Sequence, residues 1–211
     1  MKDKLNKFSV PLGLLDYGNP IFYAITMYFL LTNMYKVIES PYNTIMLIGA
    51  IISIIFGLII PTGKVLVGLG IIKFKMPVSL VFCVNTGIFI TGLMLLKHVF
   101  DINLLLLIII ALISILLLVF IYMQSKKFNT IAVLIGAIGY LMLYISLITL
   151  SINMDIALPI LFYGLAILFF FMLCGIGIKA DLKNPKVHWV IESCNVLCQM
   201  FVAIGTIILF H

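Results

Sequence analysis

Residues 187–210 read VHWVIESCNVLCQMFVAIGTIILF. At a rise of ~1.5 Å per residue, such a run is long enough to cross a hydrocarbon core of ~30 Å. Five polar residues interrupt it, His188, Glu192, Asn195, Gln199 and Thr206. At ~100° per residue they fall within a sector of ~60°, so they form one polar stripe on an otherwise apolar rod. Glu192 is the one acidic residue well inside an apolar segment. A carboxylate at such depth must face protein or water, which makes it the first functional candidate.

Working outward, apolar runs of similar length recur along the chain. Of its 211 residues, 64% are hydrophobic and 9% are charged. Soluble domains carry ~25% charged residues, so the composition predicts an all-α, polytopic integral membrane protein. No connection is long enough for a separate soluble domain of ~50 residues. One transmembrane domain over 1–211 is expected. Its helices are read at about 19–37, 44–60, 77–96, 102–123, 130–150, 156–176 and 187–210.

Pro61-Thr62-Gly63 reads as the stop of the second helix. The segment Lys64–Lys75 then reads as interfacial, with its lysines reaching toward head groups. The N-terminal run has a basic start, but Asp16 interrupts it and no small-x-small cleavage site follows. It reads as a retained end leading into the first helix, with Asp16 a solvated residue ahead of Asn19-Pro20.

All 13 basic residues are lysines, and the formal net charge is +6. Eleven of them fall on the side of the N-terminus and alternate connections; Lys36 and Lys97 fall on the other. By the positive-inside rule, the N-terminus is cytoplasmic and the C-terminus outside. The lysines follow topology and not a binding patch, so nucleic acid is excluded as a partner. The absence of Arg also argues against bidentate phosphate clamping. High Ile, Lys and Asn use suggests an AT-rich genome, and a bacterial plasma membrane is the expected location.

Other polar residues supply the facing surfaces. On the first helix Asn19, Tyr23, Thr26 and Asn33 share a sector of ~80°, extended by Asp16, and this face is expected to pack toward Glu192. The third helix carries Asn85 and Thr86, with Gly87 and Gly92 permitting close backbone approach. The fifth aligns Gly139, Ser146 and Asn153, which read as a packing face. The fourth is apolar all round and is expected to face outward. Seven helices with a featureless fourth also allow two parallel three-helix repeats around a linker.

No nucleophile triad, paired-carboxylate or metal pattern is legible. Ser193 adjoins Glu192 but points ~100° away from it, and the four cysteines match no zinc spacing. No catalytic residue, metal or cofactor is assigned. The leading expectation is a small transporter or channel-like protein moving a small polar solute, cation or proton. Glu192, Asn195, Gln199, His188, Asn85, Thr86, Asn19, Tyr23 and Thr26 are its binding candidates. A non-enzymatic accessory, immunity or sensor protein is the alternative, and an intramembrane lipid-modifying enzyme the third reading. Expected partners are the bilayer, the solute, and a second copy or a membrane complex.

Overall fold

A computed structural model describes residues 9–73, 77–125, 128–179 and 185–211, and the regular structure among them is entirely α-helical. In chain order the helices are α1 (Val10–Asp16), α2 (Gly18–Met34), α3 (Tyr42–Gly68), α4 (Val78–Val99), α5 (Leu104–Ser125), α6 (Phe128–Asn153), α7 (Leu158–Lys179) and α8 (Pro185–Phe210). Five of them, α3, α4, α6, α7 and α8, are long and apolar enough to cross a membrane over their described residues. The seven expected helices correspond to α2–α8, and α1 is an addition.

The separation of α1 from α2 is the work of Pro20. Its nitrogen has no hydrogen to offer the Asp16 carbonyl four residues back, and its ring crowds that carbonyl. The helix therefore ends at Asp16 and restarts at Gly18, with Tyr17 between them still in the right-handed region (φ −61°, ψ −24°). Ser9 caps α1, its Oγ accepting from Leu12 N at 3.4 Å.

Pro61 does the opposite of what its sequence context suggests. It was expected to end the second helix, yet α3 runs through it to Gly68. An interior proline costs ~3 kcal/mol, but here the flanking turns are held by tertiary packing. Met46, Gly49, Ala50, Ser53, Gly57, Pro61 and Lys64 are all buried, an inward stripe at three- to four-residue spacing that crosses the proline unbroken. Gly57, whose carbonyl Pro61 leaves unpaired in the helix ladder, lies against Pro20 of α2. The interfacial reading of Lys64–Lys75 is corrected accordingly: residues 64–68 are the last turns of a spanning helix, and 74–76 lie outside the described residues.

Three helix ends share one closing geometry. Gly70 (φ +73°), Asp101 (φ +46°) and Asp155 (φ +55°) occupy the left-handed region. In each case the next residue donates back into the last turn: Ile71 N to Leu66 O, Ile102 N to Lys97 O and Ile156 N to Ser151 O, all at 3.0 Å. This six-to-one bond satisfies a helix-terminal carbonyl.

Six helices close a ring in the order α2, α3, α4, α6, α7, α8, and back to α2, while α5 packs outside on α6. Paired residues give the directions. Gly18 meets Val196 and Phe29 meets His211, so α2 and α8 are parallel. Asn85 meets Gly136 and Gly92 meets Gly139, so α4 and α6 are parallel too. Gly49 lies by Thr91 and Ser53 by Val84, an antiparallel crossing of α3 and α4. Tyr163 meets Thr206 and Ala166 meets Cys198, the same for α7 and α8. The ring thus consists of two up-down-up triplets in parallel, with α5 the return segment between them. Ile108, Ile109, Leu112, Ile113 and Leu116 leave one flank of α5 exposed.

Candidate functional site

Three charged side chains converge where α1 ends, α3 ends and α8 begins. Lys64 Nζ lies 2.6 Å from Asp16 Oδ2 and 2.6 Å from Glu192 Oε1. The side chains of Lys64 and Asp16 are each 8% exposed, and that of Glu192 13%. Asn19 Nδ2 donates to the other Asp16 oxygen at 2.7 Å. Asp16 is therefore an enclosed ion-pair partner, which corrects its reading as a solvated helix-start residue.

Two glycines that bracket Asp16 make this convergence possible. A Cβ on Gly13 would come within 2.8 Å of Val65 Cγ2 and 3.0 Å of Val65 N. A Cβ on Gly18 would lie 2.8 Å from Val196 Cγ1. Without side chains at both positions, α1 seats on α3 beside Lys64, and the start of α2 seats on α8 one turn past Glu192. Tyr17 Oη and Thr62 Oγ1, 2.6 Å apart, add a second tie between α2 and α3 at the same level.

The electrostatics follow from the count. Buried ions require partners, since removing each from water costs several kcal/mol. One ammonium neutralises one carboxylate. With both carboxylates ionised the triad carries an excess of one negative charge, and it attracts one further cation or proton.

A second polar layer lies deeper. Tyr23 and Gln199 each stand seven residues beyond Asp16 and Glu192, about 10 Å farther along two parallel helices. Gln199 is buried at 2% exposure and hydrogen-bonds the Tyr140 and Tyr144 side chains. Tyr144 Oη and Cys198 Sγ are 3.1 Å apart, and Cys198 Sγ also lies 3.2 Å from Ala166 O. Tyr23 is enclosed among Ser53, Thr91 and Tyr140.

The expected candidates distribute over these layers and beyond them. Glu192 and Asn19 belong to the triad, and His188 is half-buried one turn before Glu192. Asn195 is half-buried between the layers, and Tyr23 and Gln199 belong to the second. Thr26 Oγ1 donates to Phe22 O at 3.0 Å within its own helix. Asn85 Nδ2 donates to Ala132 O at 2.8 Å, joining α4 to α6. Thr86 Oγ1 is enclosed without a hydrogen-bond partner. Asn33 leaves the inward stripe, exposed and bonded to Phe29 O at 2.8 Å.

Sequence reasoning missed Lys64, because Pro61 appeared to cut it off from α3. The signal was the spacing of Gly49, Ser53, Gly57, Pro61 and Lys64, which continues one face through the proline. Among the described residues no three His, Cys, Asp or Glu side chains gather as metal ligands, and all four cysteines are free thiols. No protein-family model, curated protein or solved structure matches the chain.

Proposed function

We propose that the chain is a seven-helix carrier or channel-like protein of a bacterial plasma membrane. In this reading the lysine-rich end faces the cytoplasm, and Asp16, Lys64 and Glu192 lie just inside that face. The transported species is a proton or small cation, alone or together with a small polar solute. The observation that carries the proposal is the enclosure of two carboxylates around one ammonium. A purely structural ion pair needs equal numbers of opposite charges. The extra carboxylate gives a cation a place to bind in competition with Lys64, and the return of Lys64 gives it a reason to leave.

The test is ion flux into vesicles reconstituted with the full chain and loaded with a pH- or sodium-sensitive dye. Wild-type protein is expected to pass protons or sodium, and Glu192→Gln to abolish the flux while eluting as the same folded species. Normal flux through Glu192→Gln across the pH range rejects the role of the triad.

A second reading, a non-enzymatic membrane accessory protein, draws on a different observation. The polar groups of Thr26, Asn85, Thr91, Ser146, Ser151 and Thr206 all bond to helix backbone, which suits polar residues used as bundle glue. On this reading wild-type vesicles take up ions no faster than empty ones.

A further inference from the structure

Between the triad and the deeper polar layer, two enclosed polar atoms stand one helical turn apart on α2. Asn19 Oδ1 and Tyr23 Oη are both buried, and neither has a hydrogen-bond partner within the protein. Tyr23 is only 3% exposed. Orphaned buried polar atoms are rare, and each costs about 1–3 kcal/mol unless something satisfies it.

The surrounding side chains cannot do so. Ser53 Oγ faces Tyr23 but donates its hydrogen to Val84 O at 2.9 Å. Thr91 Oγ1 faces Tyr23 but donates to Gly87 O, also at 2.9 Å. Asn19 has committed its amide nitrogen to Asp16, which leaves its carbonyl oxygen as a bare acceptor. An acceptor and a hydroxyl separated by one turn, a rise of ~6 Å, match the span of bridging water. The polar lining also supplies the two to four partners that a buried water requires.

We propose that Asn19 Oδ1 and Tyr23 Oη hold ordered water inside the bundle, forming a hydrated link between the Asp16–Lys64–Glu192 triad and the Tyr23–Tyr140–Gln199–Tyr144 layer. The link gives the triad a continuous hydrogen-bonded route toward mid-bundle. A proton can pass along it by hops in which each oxygen gains one O–H bond and gives up another, with no heavy atom displaced. The relay role rests on the transport reading above; the water site itself does not.

Radiolytic hydroxyl-radical labelling in 18O-enriched water, read by mass spectrometry on the reconstituted wild-type chain, tests the site directly. Radicals form where water is held, so a buried tyrosine beside ordered water is oxidised and a dry one is spared. Tyr163 is the reference, being 0% exposed with its hydroxyl 3.3 Å from Thr206 Oγ1. Tyr23 is expected to label several-fold faster than Tyr163, and equal labelling overturns the inference. In a second measurement, Tyr23→Phe is expected to lower the unfolding midpoint. A rise would mean that the hydroxyl was a dry, unsatisfied group, and would also overturn it. Strong labelling of Tyr23 in a protein that shows no ion flux upholds the water site and rejects the transport reading alone.

Discussion

Replacing Lys64 by Met tests the electrostatic core of the structure. The ammonium sits 2.6 Å from each of two carboxylate oxygens. At an effective dielectric of ~20, each attraction is worth roughly 6 kcal/mol before desolvation is subtracted. Its loss leaves two like charges within twice that distance of each other, in a site where each side chain is at most 13% exposed. Proton uptake and water entry relieve part of this, and breaking a buried ion pair from one side typically costs about 3–5 kcal/mol. Lys64→Met is therefore expected to lose about that much stability. The loss is read by denaturant titration in detergent, with the fluorescence of Trp189, the sole tryptophan, which lies on α8 beside the site. Adding Asp16→Asn and Glu192→Gln to Lys64→Met should recover most of it, because an uncharged cluster has no charge left to strand. A loss below about 1 kcal/mol for Lys64→Met alone, the scale of a solvated surface pair, would refute the reasoning. So would a triple variant no better than the single one.

Two further outcomes follow from backbone geometry. Gly92→Leu should cost about 3 kcal/mol in the same titration, because a Cβ there already overlaps the Gly139 carbonyl and the longer side chain wedges α4 from α6; a variant as stable as wild type would mean that the crossing is loose. Asp155→Gly should raise stability by up to about 1 kcal/mol, since Asp155 holds a left-handed φ of +55° that costs glycine nothing; a drop would show that its side chain contributes more than its backbone strains.

The spanning helices were legible because length and apolarity state them directly. So was the outward α5, a helix with no polar face to turn inward. The stripe on α8 led to Glu192, and the inward face of α2 led to Asn19 and Tyr23, since one period of 3.6 governs both. Lys64 and Asp16 were hidden for a shared reason: each lies next to a proline whose local effect depends on distant packing. Pro20 breaks a helix because Asp16 sits four residues before it. Pro61 does not end one, because Gly57 and the stripe on either side are held by α2 and α4. Local rules cannot distinguish these cases. The two outer-side aspartates carried a similar ambiguity. Asp101 and Asp155 read as topology markers, whereas their backbone angles show that they close helices where glycine is usual.

The triad also has a history written into its chain positions. Lys64 and Glu192 are 128 residues apart, so α1 and α3 are made long before α8 emerges from the ribosome. An unfinished bundle already contains Asp16 and Lys64, a neutral pair. Docking of α8 then delivers a second carboxylate into a buried site whose ammonium is already engaged. Closing the ring between α8 and α2 is electrostatically uphill unless a proton or cation arrives with the helix. Ion capture would then begin during biosynthesis, with the first bound ion completing the assembly of the bundle.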